Sequence, residues 1–315
     1  MILAIGTIDE RVRERLGSHG QVIEADPGDP DAIARRLPEA VGIVARASAV
    51  IDAALIEAAP RLRVIGRTGV GVDLVDLEAA TRRAIPVVIT PNAGTRGVAE
   101  GALALMLHLV KRLGPMTSLV RDSRWTEREA FALGDLDGAT LAVIGYGRIG
   151  RRLAELAAVL GMRVIAHDPY TASADVPLTD LTAALAEADV ISLHAPLTPE
   201  TRGLIGEHAL RHVKPGAVLV NCGRGGLLDL DVAHAALLDG RLSGVGLDVF
   251  EPEPPADHPL FHHPDVVLTP HVMALSRRAR ALVFEEMAAG MDDVLSGRRA
   301  PFVANPDVYD TARTP

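Results

Sequence analysis

Three glycines near the middle of the chain have the spacing of a phosphate-binding turn. Gly145, Gly147 and Gly150 follow the apolar run Thr140–Ile144 and precede a stretch of helical composition, residues 151–160. In a strand–turn–helix unit, the first glycine permits the tight turn, the second lets the backbone approach a pyrophosphate, and the third lets helix and strand pack closely. The pattern predicts a turn that binds a dinucleotide.

The residues after these glycines make the prediction more specific. The amides of Arg148 and Ile149 are expected to point at the phosphates from the amino terminus of the helix. Asp168 lies 18 residues after Gly150, beyond a second strand-like run. A carboxylate at this position accepts hydrogen bonds from the ribose hydroxyls of adenosine and repels a 2′-phosphate, which favours NAD over NADP. The alternative is a glycine turn used only for helix packing, with an aspartate that ends a strand.

The glycine turn belongs to a regular alternation of short β-branched runs and helical stretches. The runs form two series, residues 2–5, 21–24, 42–45, 63–65 and 87–89, then residues 141–144, 163–167, 190–194, 217–221, 245–249 and 266–269. Each series predicts a parallel sheet, and the nearly continuous apolar strands predict burial on both faces. Helices at residues 97–113 and 276–295 are expected to cross between the two domains, which a cleft separates.

The composition excludes several classes of function. The 315 residues carry 32 basic and 41 acidic side chains, and the net charge of −9 without a basic tract argues against a nucleic-acid or anionic-membrane partner. The longest apolar run, residues 98–110, is too short to span a bilayer, and the amino terminus lacks a signal-peptide pattern. The single cysteine, Cys222, excludes a disulfide and fits a reducing compartment. We expect a cytoplasmic protein.

Further motifs give the chain a specific resemblance. It resembles the D-isomer-specific 2-hydroxyacid dehydrogenase family, which includes phosphoglycerate, glyoxylate/hydroxypyruvate and D-lactate dehydrogenases. The matching stretches are residues 69–73, 98–100, 140–150, 194–202, 221–225, 246–254 and 269–271. The resemblance implies an α/β fold of two Rossmann-like parallel-sheet domains separated by a cleft. The NAD-binding domain, residues 97–285, would be inserted into a substrate domain formed by residues 1–96 and 286–315.

The resemblance also implies a catalytic set. Arg224 would bind the substrate carboxylate and keto oxygen, because a planar guanidinium can grip two oxygens at once. His271, at the end of a strand, would be the general acid/base, because imidazole titrates near neutral pH. Glu253, 18 residues before His271, would hydrogen-bond one ring nitrogen and fix the tautomer. Glu251 is the local competitor for that role and is expected to face solvent.

Other positions are implied to contact the cofactor. His194, Ala195 and Pro196 would form a wall of the NAD site, and Cys222 and Gly223 would lie on the nicotinamide side. Asp248 would lie near the nicotinamide carboxamide, with a strand-end or turn-capping aspartate as the alternative.

Substrate contacts are implied in the first domain as well as at Arg224 and His271. The amides of Val70 and Gly71, in a glycine-flanked turn, would bind the substrate carboxylate, because such a nest suits an anion. Arg46 matches an arginine that faces the substrate in phosphoglycerate dehydrogenases, and a solvated charge is the alternative. The pattern of His258, His262 and His263 in a proline-rich loop does not indicate a metal site.

The resulting expectation is an NAD-dependent enzyme. It would transfer a hydride between nicotinamide and C2 of a D-2-hydroxy acid or 2-keto acid of the 3-phosphoglycerate, glyoxylate or hydroxypyruvate type. The alternative is an NAD(H)-sensing, corepressor-like binding protein on the same fold. The resemblance further implies a homodimer through the NAD domain, with contacts from the helix beginning near Val98 and from the segment around Trp125. From the chain length we also expect no carboxyl-terminal regulatory domain.

Overall fold

The chain forms two compact units, seen in a computed structural model that describes residues 1–46 and 49–311. One unit contains Met1–Gly94 and the chain from Leu275 onward, and the other is Thr95–Ala274. The second boundary therefore falls at Leu275 and not at residue 286 as predicted, because a whole helix after Ser276 packs in the first unit. Residues 312–315, which the sequence prediction also assigned to that domain, lie outside the described residues.

The first segment of the first unit is a parallel α/β layer. Its strands are β1 (Ile2–Ile5), β2 (Val22–Ala25), β3 (Gly42–Ala45), β4 (Val64–Arg67) and β5 (Val87–Val88), and its helices are α1 (Glu10–Leu16), α2 (Pro30–Ala34), α3 (Ala53–Glu57) and α4 (Leu77–Arg82). All strand pairs are parallel, in the order β2-β1-β3-β4-β5. Every residue of β1, β3 and β4 is buried. Asp9, Asp29, Asp52 and Asp76 start the four helices by accepting a hydrogen bond from a first-turn amide.

The second unit is a six-stranded parallel sheet with helices. Its elements are α5 (Thr95–Val110), α6 (Leu113–Arg121), β6 (Thr140–Ile144), α7 (Arg148–Val159), β7 (Arg163–His167), α8 (Leu181–Glu187), β8 (Val190–Leu193), α9 (Glu207–Leu210), β9 (Ala217–Asn221), α10 (Leu230–Leu238), β10 (Leu242–Leu247) and β11 (Val266–Leu268). The strand order is β11-β10-β9-β8-β6-β7. Strand β7 lies on one side of β6, and the following strands β8 to β11 extend from the other side. The carboxyl end of β6 is therefore the switch point in strand order, which is where open parallel sheets bind ligands.

The predicted single helix over residues 97–113 is two helices. Arg112 has a left-handed backbone with φ of 49°, which ends α5 before α6 begins. The Arg112 guanidinium donates to both carboxylate oxygens of Asp265 at 2.8 Å and lies over the Phe131 ring. None of the described helices alone has the length and apolar character to cross a membrane. α5 and α6 meet those criteria only together, with a bend of 57° between them.

Two further helices complete the first unit, α11 (Arg277–Leu295) and α12 (Val308–Thr311). The Ser276 hydroxyl starts α11 by accepting a hydrogen bond from the Ala279 amide at 3.1 Å. α11 packs against β4, and the side chains of Met287 and Met291 cover the position of Gly66. Only a glycine leaves room for this close approach between helix and strand.

We expect Gly66→Ala to destabilise the first unit by about 1–3 kcal/mol, because the added methyl group overlaps the two methionine side chains. Urea unfolding followed by circular dichroism measures the change in the free energy of unfolding. Gly17→Ala is the matched control, since its Cβ would meet no heavy atom of the described residues within 4 Å. Equal unfolding midpoints for the two variants would contradict the packing argument.

Candidate active site

Each glycine of the fingerprint turn has a separate structural reason. Gly145 follows β6 with φ of +94°, and a Cβ there would lie only 2.5 Å from the backbone nitrogen of Ala195. A Cβ on Gly150 would collide with the Gly145 carbonyl oxygen. A Cβ on Gly147 would meet nothing within 4 Å among the described residues, and Gly147 caps the amino terminus of the 12-residue α7. The open space at a helix amino terminus fits a bound pyrophosphate.

Asp168 is anchored beside this turn. It follows β7, and its carboxylate accepts hydrogen bonds from the amides of Tyr146 at 2.8 Å and Tyr170 at 2.9 Å, one on each oxygen. A carboxylate oxygen can accept two hydrogen bonds, so each oxygen keeps capacity for a hydroxyl donor. The position and the remaining acceptors suit the ribose hydroxyls of a dinucleotide.

His194 follows β8 and lies against the same turn, since its backbone nitrogen donates to the Ile144 carbonyl at 2.7 Å. Burial lowers the pKa of His194 to about 4, so the ring is neutral at physiological pH. Its Nε2 lies 2.8 Å from the Ser192 hydroxyl, whereas its buried Nδ1 has no hydrogen-bond partner in the described part of the chain. A buried polar atom without a partner at this edge fits a site that is completed by a ligand.

The loop after β9 presents Arg224. Asn221, the last residue of the strand, is buried, and its Nδ2 donates to the Arg224 carbonyl at 2.8 Å while its Oδ1 accepts from the Gly223 amide at 3.0 Å. The Arg224 guanidinium donates to the Gly223 carbonyl at 2.8 Å. Burial raises the pKa of the neighbouring Cys222 thiol, and the Asp248 carboxylate acts in the same direction, so this cysteine is not a thiolate.

Asp248 organises the turn that carries His271. It follows β10, is buried, and accepts hydrogen bonds from the Thr269 hydroxyl at 2.7 Å and from the amides of Val272 at 2.9 Å and Met273 at 3.3 Å. His271 itself has a left-handed backbone with φ of 52°. The left-handed region of φ and ψ is uncommon for residues other than glycine, so the turn needs contacts that hold it. The three hydrogen bonds to Asp248 provide them. The expected contact of Asp248 with a nicotinamide stays a prediction.

The structure brings His271 and Glu253 together. Nδ1 of His271 lies 2.8 Å from Oε2 of Glu253, and Oε1 of Glu253 accepts a hydrogen bond from the Phe250 amide at 3.0 Å. An ionised carboxylate only accepts hydrogen bonds, so we expect the ring proton on Nδ1 and a lone pair on Nε2 of the neutral ring. The ring can therefore accept a proton at Nε2 and return it.

Glu251 is exposed to solvent, as expected, and it also forms an ion pair. Its two carboxylate oxygens bind the guanidinium of Arg202 at 2.6 and 3.1 Å. Glu251 is therefore engaged elsewhere, and of the two neighbouring glutamates it is Glu253 that contacts His271.

The predicted anion-binding turn of the first unit is well defined. Gly69 has φ of +124°, and its amide donates to the Thr90 hydroxyl at 2.9 Å. Val70 is half-exposed, and the Gly71 carbonyl accepts a hydrogen bond from Nε of Arg67 at 2.9 Å. Arg67 is buried and also donates to the Arg46 carbonyl, so it holds the turn and the end of β3 together.

The side chain of Arg46 makes contacts within the first unit. Its Nη1 donates to the Thr7 carbonyl at 2.6 Å, and its guanidinium lies 5.3 Å from the centre of the Phe284 ring. These contacts use part of the guanidinium and leave other N–H donors for a substrate. The substrate role of Arg46 stays a prediction. The neighbouring Ala47 and Ser48, which belong to the same motif, lie outside the described residues.

Several residues that hold the site were missed by sequence reasoning. They are Arg67, Ser192 and Asn221. Each lies within three residues of a predicted site residue and carries a polar side chain at or near the carboxyl end of a strand. That position is the signal that could have identified them.

Two of the three histidines of the proline-rich loop, His258 and His262, have carboxylate partners, and His263 accepts a hydrogen bond from the Asp265 amide. His258 lies 3.1 Å from Asp231, and His262 lies 2.8 Å from Asp257. Within the ranges 1–46 and 49–311, no group of three or more His, Cys, Asp or Glu side chains has the arrangement of a metal site.

Comparison with known proteins identifies the family. Residues 103–273, more than half of the chain, match the family model described as D-isomer specific 2-hydroxyacid dehydrogenase, NAD binding domain. The chain belongs to the D-isomer specific 2-hydroxyacid dehydrogenase family. Its second unit, which carries the glycine turn and the Glu253–His271 pair, contains the NAD-binding domain of that family.

Individual relatives agree with this family membership. The D-3-phosphoglycerate dehydrogenase of Mycobacterium tuberculosis is 38% identical over 295 residues, which are 92% of this chain and 56% of the relative. This chain thus spans little more than half the length of that relative. The TT0316 protein from Thermus thermophilus is 38% identical with a TM-score of 0.88, covering 96% of this chain and 99% of that one. D-Lactate dehydrogenase from Aquifex aeolicus, complexed with NAD and lactic acid, is 28% identical with a TM-score of 0.87, covering 97% and 99%.

We expect Asp168→Asn to weaken the preference of this family member for NADH over NADPH by about tenfold or more, because the variant removes the charge that repels a 2′-phosphate. The readout is the ratio of the dissociation constants for NADH and NADPH, measured by fluorescence titration. Any weakening of the Tyr146 and Tyr170 contacts in the variant affects both cofactors alike and cancels in this ratio. Asp257→Asn, at an exposed carboxylate, is the control. An unchanged ratio in the Asp168 variant rejects the ribose assignment.

Proposed function

We propose that this chain is an NAD-dependent dehydrogenase that interconverts a 2-keto acid and a D-2-hydroxy acid. The observation that carries the proposal is the 2.8 Å hydrogen bond between Glu253 and His271, in the unit that matches the NAD-binding domain of the family. A histidine with a fixed tautomer is the group that this reaction needs, because the substrate oxygen must gain or lose a proton as C2 is reduced or oxidised.

The catalytic residues divide the chemistry among themselves. The glycine turn and Asp168 would hold NAD(H), which would supply the hydride chemistry at C2 of the substrate. His271 donates a proton to the developing alkoxide during reduction and takes it back during oxidation, while Glu253 stabilises the protonated ring. Arg224 binds the substrate carboxylate and polarises the keto oxygen, as a planar guanidinium can do.

Cofactor binding is assigned to residues of the second unit. Three features support this assignment: the open turn at Gly147, the remaining acceptors of Asp168, and Nδ1 of His194, which has no hydrogen-bond partner among the described residues. The proposed cofactor residues are Gly145, Gly147, Arg148, Ile149, Gly150, Asp168, His194, Ala195, Pro196, Cys222, Gly223 and Asp248.

Substrate binding is proposed for Val70, Gly71 and Arg46 of the first unit, together with Arg224 and His271. The glycine-rich turn supports this proposal, because Arg67 and Thr90 fix its backbone and its amides can bind a carboxylate. A substrate of the 3-phosphoglycerate, glyoxylate or hydroxypyruvate type has the required carboxylate next to the reacting carbon.

A homodimer through the second unit is part of the proposal. The exposed apolar side chains of Leu113, Val120 and Trp125 lie on α6 and the segment after it, and they would be covered by a second copy. Sedimentation equilibrium that finds only monomers at micromolar concentration would contradict this contact.

We also propose a cytoplasmic location. The one cysteine of the sequence, Cys222, is a buried free thiol, which suits a reducing compartment. Recovery of the native protein from a secreted fraction would argue against this location.

We expect His271→Ala to lower kcat for keto-acid reduction by about 100- to 10,000-fold while NADH still binds, because the variant removes the proton donor but leaves the glycine turn intact. NADH oxidation with glyoxylate, hydroxypyruvate, pyruvate and phosphohydroxypyruvate measures turnover, and fluorescence titration measures NADH binding. His262→Ala, at an exposed histidine, is the control and keeps wild-type turnover. NADH binding without turnover of any substrate by the wild-type protein would replace this proposal with that of a binding protein.

A further inference from the structure

We propose that Arg202 and Glu251 are positioning residues of the active site: their ion pair holds the loop that carries Arg224 against the segment that carries Glu253. The functional part of this inference rests on the proposed dehydrogenase activity. In the described part of the chain, neither side chain hydrogen-bonds to Arg224, Glu253 or His271, so each acts through the backbone that it holds.

The ion pair is bidentate but exposed. Nη1 and Nη2 of Arg202 donate to the two oxygens of Glu251 at 2.6 and 3.1 Å, and the side chains are 58% and 43% exposed. Water and salt screen a pair of this kind, so its contribution to global stability is small. Its importance therefore depends on the two segments that it joins.

The loop that carries Arg224 lies between two other segments of the chain, an arrangement that we call the sandwich. The segment that begins at Arg202 is the first of these two sides. The Gly203 amide donates to the Gly226 carbonyl at 2.8 Å, and the Ile205 amide donates to the Leu227 carbonyl at 2.9 Å. These two hydrogen bonds fix the loop directly after Arg224.

The segment around Glu251 is the other side of this sandwich. A Cβ on Gly225 would collide with the Phe250 carbonyl group, and a Cβ on Gly226 would collide with the Glu251 carboxylate. The loop therefore lies directly against residues 250 and 251. The ion pair closes the sandwich, because Arg202 reaches Glu251 at the edge of Gly226.

The same segment leads to the proton-transfer pair. Oε1 of Glu253 accepts from the Phe250 amide at 3.0 Å, and Oε2 contacts Nδ1 of His271 at 2.8 Å. A shift of residues 250–251 away from the Arg224 loop thus changes the position of Arg224 relative to Glu253 and His271. A misplacement of about 1 Å at reacting groups can lower a rate about 100-fold, so a weak surface contact can control turnover.

A second ion pair in the same unit is a matched control. Arg163 and Glu187 are 2.6 Å apart and are 55% and 50% exposed, values close to those of the Arg202–Glu251 pair. This pair joins the start of β7 to the end of α8, away from the three catalytic residues. Glu187→Gln therefore removes an equivalent surface charge without touching the sandwich.

The test compares Arg202→Gln, Glu251→Gln, the charge reversal Arg202→Glu with Glu251→Arg, and the control Glu187→Gln. We expect each single variant at the pair to lower kcat about tenfold with an unchanged dissociation constant for NADH, and the reversal to recover most of the loss. Amide hydrogen exchange measured by NMR should be about tenfold faster at Gly203 and Phe250 in the single variants only.

The two readouts separate this inference from the proposed function. If the wild-type protein turns over no keto acid, the proposed function fails, and hydrogen exchange at Gly203 and Phe250 still decides whether the pair holds the sandwich. Wild-type kcat and wild-type exchange in both single variants would overturn the inference. A reversal variant that loses as much activity as the two single variants combined would overturn it as well.

Discussion

The hydrogen bond between Glu253 and His271 is the interaction on which the proposed chemistry of the second unit depends. The two residues follow the neighbouring parallel strands β10 and β11, whose carboxyl ends lie at the same edge of the sheet. His271 has a left-handed backbone, and such a conformation persists only where surrounding contacts hold it. The carboxylate of Asp248 provides those contacts through the turn on either side of His271.

The same edge of the sheet shows how buried polar side chains specify a site. Asn221 and Asp248 end adjacent strands, and the Asp248 amide donates to the Asn221 carbonyl at 3.0 Å. Each uses its side chain to hold the backbone that presents a proposed catalytic residue, Arg224 in one case and His271 in the other. Because a buried polar group must be hydrogen-bonded, these contacts select one loop conformation and reduce the reorganisation needed for catalysis.

Most of the architecture could be predicted from the sequence, because it depends on local patterns. The runs at residues 2–5 and 217–221 are strands with those bounds, and the glycine turn leads into a helix. The break at Arg112 could not be predicted, because contacts with the distant residues Asp265 and Phe131 accompany it. The pairing of Glu251 with Arg202 was missed for the same reason, since 49 residues separate the two partners in the chain.

The tautomer of His271 tests the central claim most directly. If Glu253 accepts a hydrogen bond from Nδ1, the neutral ring carries its proton on Nδ1 and keeps the Nε2 lone pair for the substrate. Two-dimensional ¹⁵N NMR of histidine-labelled protein distinguishes the two tautomers, and His271→Ala identifies the signal. We predict the Nδ1–H tautomer in the wild-type protein and its loss in Glu253→Ala. A neutral ring protonated on Nε2 in the wild-type protein would contradict the account.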